Sequence, residues 1–140
     1  SEAHDKASTS ADLVERLQTI GNAPFDRRIN NGLYVASSSG VSQPNAVYVL
    51  THVDVVPASK DGCMALLKAM SVDAPADSGN IGYMVLQQAN RANHFAVFEV
   101  WANREALDGH AEAAHTRAFR EKLSPMAGAL YDERFYRSLD

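Results

Sequence analysis

Hydrophobic and polar positions alternate with two different periods along this chain. Residues 47–56 read Val-Tyr-Val-Leu-Thr-His-Val-Asp-Val-Val and stop at Pro57, a β-branched run that predicts a strand. Period two sets Val47, Val49, Val53 and Val55 on one face, and Tyr48, Leu50 and Val56 on the other. Over residues 59–72 the period lengthens. Cys63, Leu66, Leu67 and Met70 recur at three-to-four spacing, the stripe of an amphipathic helix. Residues 73–79 (Asp-Ala-Pro-Ala-Asp-Ser-Gly) form a loop, and 80–88 and 94–102 form two further strands. The polar stretch 89–93 between them fits a hairpin connection, which makes them antiparallel neighbours.

Asn103 is placed to cap a helix that runs through Glu105, Ala106 and Leu107 to Leu123, with a break near Ala114. Pro125 and Gly128 end that stretch, and 130–136 is a last strand. The order β-α-β-β-α-β is that of a ferredoxin-like α+β fold. Upstream, 11–20 reads as a helix and 29–36 as a strand, separated from the rest by a Ser/Gly/Pro/Asn-rich linker over 37–46. The chain thus divides into an N-terminal helix-strand extension (1–36), the linker, and a compact domain (47–140). Two helices cover one sheet face only, and the uncovered face is apolar, so a homodimer packed sheet against sheet is expected.

Composition narrows the function classes. The 140 residues hold 13 Lys and Arg against 17 Asp and Glu, which gives no electrostatic footprint for nucleic acid. No apolar run reaches the ~18–20 residues of a membrane span. The one cysteine, Cys63, excludes an intramolecular disulfide and a cysteine-based zinc site, and reads as a small core residue. The absence of disulfides fits a cytoplasmic location and leaves the periplasm open. No dinucleotide-binding glycine motif, phosphate loop, nucleophile elbow or H-E-x-x-H is present. No metal site is expected: His110 and His115 are five residues apart, about 140° around a continuous helix, and converge only if the helix breaks between them.

In Phe95-Ala96-Val97-Phe98-Glu99-Val100-Trp101, alternation places Val97, Glu99 and Trp101 on one strand face. A carboxylate beside the only Trp demands a partner. Two readings stay open: a pocket wall, with Trp101 as an aromatic platform and Glu99 fixing a polar group, or a core Trp with a structurally paired Glu. His52, two residues before Asp54, is either an oriented general base or part of a solvated strand end. His94 follows a polar turn and reads as exposed, whereas His110 shares a helix face with Leu107 and points coreward.

Phe98-Glu99-Val100-Trp101, then Glu105-Ala106-Leu107, His110, Ala114-His115-Thr116, Phe119 and Leu123 resembles the signature of the antibiotic biosynthesis monooxygenase family. The resemblance runs from Val47 to the C-terminus and is most specific in its Glu-x-Trp-x8-His-x4-His spacing. It implies a dimeric α+β barrel with a pocket between sheet and helices. It also implies oxidation of a small quinol or phenolic aromatic by O2 as co-substrate, without any cofactor. On this chain it assigns catalysis to His52, Trp101 and His110, and substrate binding to Tyr83, Glu99, His115 and Phe119. The scaffold equally hosts non-catalytic modules that bind a small aromatic ligand, and haem-degrading proteins, so the fold alone does not choose the reaction.

A shift of 106 residues lays the N-terminal piece on the C-terminal helix and strand. His4 meets His110, Ala7 meets Ala113, Glu15 meets Glu121 and Leu17 meets Leu123. Ala23, Asp26, Arg28 and Leu33 likewise meet Ala129, Asp132, Arg134 and Leu139. Residues 1–36 are therefore expected to be the tail of a preceding copy of the same unit.

Overall fold

The computed structural model describes residues 28–36 and 43–138, together with Glu15, Arg16, Thr19 and Gly21. Five strands form one antiparallel sheet: β1 (Asn30–Ala36), β2 (Val47–Asp54), β3 (Asn80–Gln88), β4 (His94–Trp101) and β5 (Asp132–Tyr136), in the order β1-β3-β4-β2-β5. Helices α1 (Lys60–Asp73), α2 (Arg104–Glu112) and α3 (Ala114–Leu123) cover one face. Without β1 the order is that of a ferredoxin-like α+β fold, as the element pattern predicts.

The sequence boundaries shift by a residue or two. β2 ends at Asp54, and Val55 makes only an isolated bridge to Ala127. Pro57 opens a short 3-10 turn ahead of α1, since its fixed φ suits a first helical position. The last strand starts at Asp132 and not at residue 130. The linker tail closes in a turn in which Ala46 N–H donates to the Gln43 carbonyl at 3.1 Å, with Asn45 at φ 89°. Pro44 and Asn45 are the residues such a turn favours. Most of the expected N-terminal helix and most of the 106-shifted match lie outside the described residues; of that helix, Glu15, Arg16 and Thr19 are described and helical. The strand of that extension does form. β1 pairs with β3 from Asn30↔Gln88 to Ala36↔Tyr83, with an irregularity between Gly32 and Tyr34.

Cross-strand register decides which side chains share a face. Val49 stands opposite Glu99, Thr51 opposite Val97 and Val53 opposite Phe95; across the other edge of β4, Tyr83 stands opposite Glu99 and Val85 opposite Val97. These residues form the covered face, and every one of them is buried. α1 contributes Cys63, Leu67 and Met70 to the same core, and α3 contributes Phe119 and Leu123. Cys63 is the small buried residue expected of it, and burial pushes its thiol up to about 11.

β3 is joined to α2 by a close contact. Gly79 has φ +82°, and a Cβ there would lie 2.5 Å from the Ala106 Cβ. Only glycine supplies both the left-handed backbone and the missing atom. Its carbonyl accepts from Ala102 N–H at 2.8 Å. At the start of α2, Asn103 Oδ1 accepts from Ala106 N–H at 2.9 Å, the expected cap.

Candidate active site

The helix-covered layer over β3 and β4 collects polar groups at one end. Alternation on β4 buries Glu99 and Trp101 beside Val97, and Tyr83 enters from β3. α2 supplies His110, α3 supplies His115, Thr116 and Phe119, and the turn before β3 supplies Asp77.

A helix break brings these together. Ala113 takes φ −60°, ψ 145° and ends α2 one residue before α3 begins. Arg117 Nη1 donates to the Glu112 carbonyl at 2.6 Å, covering an acceptor the break sets free. With the chain turned there, His110 Nδ1 lies 2.7 Å and His115 Nε2 2.9 Å from the same Asp77 Oδ2. The two rings sit 5.6 Å apart. On its other side, the His110 ring stacks on Trp101 with centroids 4.6 Å apart and planes at 30°. Trp101 Nε1–H donates to Glu99 Oε2 at 2.8 Å, and His110 Nε2 is 3.9 Å from that same oxygen. The Thr116 hydroxyl lies 3.4 Å from His110 Nδ1.

Burial dominates the electrostatics. It pushes the Glu99 carboxyl up to about 7, against the Trp101 hydrogen bond that favours the ionised form. It holds His110 below the ordinary imidazole value, while the hydrogen bond to Asp77 pulls the other way. The Tyr83 phenol is driven far up, first by burial and then by the Glu99 charge.

A cavity of about 70 Å³ opens over Glu99, walled by Tyr83, Val97, His110 and Phe119. Its mouth is framed by two arginines. The Arg104 guanidinium lies 5.3 Å over the Phe135 ring, and Arg120 reaches Glu133 at 3.8 Å. An aromatic ring needs about 150 Å³, more than the cavity holds with its lining side chains as they stand.

Of the residues singled out from sequence, Tyr83, Glu99, His110 and Phe119 meet in this cavity. Trp101 does not line it. Its ring is fully buried behind Glu99 and His110, so it holds the site and offers no platform. His115 sits on the outer side of His110, on Asp77. His52 is separated from all of them: it stands opposite Ala96 and Asp132 on the uncovered sheet face, because Val49 and Val53, not its own even-numbered neighbours, face the helices. The strand alternation therefore does not bring His52 together with Trp101 and His110. Asp77, Arg104, Arg120 and Glu133 were not anticipated. Asp77 is 33 positions from His110, and only the turn-forming Asp-Ser-Gly around it was visible in the sequence. Asp77, His110 and His115 also form a three-residue donor set, with ligand atoms within 4.8 Å of one another. The absence of helical metal-site spacing had argued against one; the break at Ala113 supplies the exception.

Comparison with known proteins places this geometry. The chain is 28% identical over 91 residues to the uncharacterised protein sll1783 of Synechocystis sp., covering 65% of this chain and 62% of that protein. It thus spans less than two thirds of that relative. The structure of Rv0793 from Mycobacterium tuberculosis superposes with a TM-score of 0.65 at 24% identity, covering 69% of this chain and 97% of the other. A candidate monooxygenase of Fusobacterium nucleatum gives a TM-score of 0.79 at 16% identity, covering 96% of this chain and 60% of that one. These two likenesses establish the fold. The family model described as antibiotic biosynthesis monooxygenase matches residues 46–122, which contain β2 to α3 and the whole Asp77–Glu99–Trp101–His110–His115 cluster. Over more than half its length, then, this chain is a member of the antibiotic biosynthesis monooxygenase family.

Proposed function

We propose that the cavity over Glu99 oxidises a small phenolic or quinol compound with O2, extending the monooxygenase-like function that family membership supports. One observation carries the reading: a buried carboxylate lines a small cavity, and a Trp N–H fixes one of its oxygens. Oε2 is taken by Trp101, which leaves Oε1 for a ligand. In this reading Glu99 accepts the proton of the substrate hydroxyl, and the resulting phenolate is electron-rich enough to reduce O2 itself. For a simple phenol, one oxygen atom of O2 enters the ring as a new carbonyl. The other leaves as water with the ring and hydroxyl hydrogens, and the product is a quinone. The substrate supplies all the electrons, so the reaction as written requires no flavin or haem.

The uncovered sheet face supports a homodimer in the same reading. Tyr48, Leu50, Met84, Leu86 and Phe98 are only half-buried there, and Tyr48 and Phe98 stack at 6.5 Å. A second copy of the face would cover them.

Oxygen uptake by the purified protein with a panel of hydroquinones and phenols tests the oxidation. Uptake above buffer autoxidation, lost at least about 100-fold in Glu99→Gln, supports it. A ligand that binds tightly in the cavity without turnover would replace it with a binding module. No uptake and no binding would remove both.

A further inference from the structure

The oxidation reading uses the inner side of the His110 ring and leaves the outer side unexplained. There, one carboxylate oxygen and two imidazole nitrogens from three separate elements meet at a single point. We propose that Asp77 Oδ2, His110 Nδ1 and His115 Nε2 bind one divalent transition-metal ion of the zinc, cobalt or nickel class.

The donor atoms are close to the arrangement an ion needs. Bonds of about 2.0–2.2 Å to nitrogen and oxygen in a tetrahedral site put ligand atoms about 3.3 Å apart. Here each nitrogen is 2.7 or 2.9 Å from the oxygen, and all three atoms lie within 4.8 Å. An ion entering between them moves each nitrogen about half an ångström away from the oxygen and sets the two nitrogens about 3.3 Å apart. Two imidazoles and one carboxylate form a borderline donor set, suited to zinc, cobalt and nickel and poorly suited to calcium or magnesium. Three protein ligands leave at least one position for water.

A second feature points the same way. Metal-bound histidines almost always hand their remaining ring N–H to a carboxylate, a backbone carbonyl or water, which fixes ring and tautomer. The Nε2 of His110 has the Thr116 hydroxyl at 3.5 Å and Glu99 Oε2 at 3.9 Å, and Trp101 contacts both Glu99 and the His110 ring. Coordination through Nδ1 requires the tautomer with hydrogen on Nε2, the atom directed at Glu99. The ion would thereby connect the outer surface to the floor of the cavity.

Access and assembly fit as well. A surface cleft of about 530 Å³ runs over Asp77, Gly79, Asn103, Ala106, Gly109 and His110. His115 and Asp77 keep 26% and 22% of their side chains exposed, enough for exchange with solvent. The break at Ala113, which interrupts the helical hydrogen bonds, is the feature that brings two histidines five residues apart onto one acceptor. The other His–Asp pair, His94 with Asp54 at 2.9 Å, joins only one histidine to its carboxylate and serves as an internal control.

The test is binding and is independent of turnover. The full chain, stripped with a chelator, is titrated with Co(II) while its visible absorption is recorded, and with Zn(II) by calorimetry. The expected result is one equivalent per chain, with the strong visible bands of a low-coordinate Co(II) site that Zn(II) abolishes. His115→Ala and Asp77→Ala should raise the dissociation constant at least about 100-fold, and Glu99→Gln about 10-fold. His94→Ala should leave it unchanged. Circular dichroism checks that each variant is folded, and the wild-type stoichiometry stands even if one is not. Absence of a saturable one-to-one site, or binding that survives His115→Ala or disappears with His94→Ala, overturns the proposal. Oxygen uptake without metal binding would leave the oxidation reading standing alone; binding without uptake would do the reverse.

Discussion

The two faces of the central sheet are made from the same strands and similar residues, yet they do different things. On the covered face, Val49, Val85, Phe95, Val97 and Trp101 are sealed under helices, and the one carboxylate among them, Glu99, is buried with a hydrogen-bonded partner. On the uncovered face, Tyr48, Leu50, Leu86 and Phe98 stay half-exposed, and its charged groups pair near the surface: His94 with Asp54, and Arg134 with Asp132 at 2.7 Å. Burial raises the Glu99 carboxyl on one face, whereas on the other the Arg134 hydrogen bond holds the exposed Asp132 carboxyl below its ordinary value. His52 and His110 differ in their surroundings. One shares its face with exposed ion pairs, and the other is clamped between Trp101 and Asp77.

The sharpest way to break the contrast is to empty the covered face. Trp101→Ala removes a fully buried ring, the donor to Glu99 and the stacking partner of His110. Chemical denaturation should show a loss of about 3–5 kcal/mol. A loss below about 1 kcal/mol would mean the covered layer is not packed as described.

Gly79→Ala acts at the seam between β3 and α2. The left-handed backbone costs about 1–2 kcal/mol with a Cβ, and the 2.5 Å approach to Ala106 adds overpacking of about 1–3 kcal/mol. In a double-mutant cycle with Ala106→Gly, only the packing share should be recovered. Full recovery would show that φ strain plays no part.

Phe98→Lys probes the other face. Sedimentation should shift from dimer to monomer, while monomer stability changes by no more than about 1 kcal/mol. A dimer that persists would move the interface elsewhere.

His52→Ala should do least. Stability should stay within about 0.5 kcal/mol, and oxygen uptake should match the parent protein, in contrast to Glu99→Gln. A large loss of uptake would return His52 to the chemistry, reached in that case from the uncovered face.

Much of this was legible before the structure. Strand and helix periods located β2, α1, β3 and β4 within a residue or two, because side-chain alternation follows directly from backbone geometry. Asn103 announced its cap, and Glu-x-Trp with the two histidines announced the family. The faces of β2 were legible too: His52 travels with Leu50 and Asp54, opposite the valines. What could not be read was the relation between strands. Whether Glu99 joins Val49 or Leu50 depends on register, and a slip of one residue would have carried Glu99 and Trp101 to the uncovered face.

The sequence by itself therefore determined the elements, their order and the residue types available for chemistry, all of which depend on local backbone preference and short-range pattern. The tertiary structure alone decided that Trp101 supports the cavity without lining it and that Asp77 gathers both histidines. Those contacts join residues up to 38 positions apart through register and a single helix break, where no local period reaches.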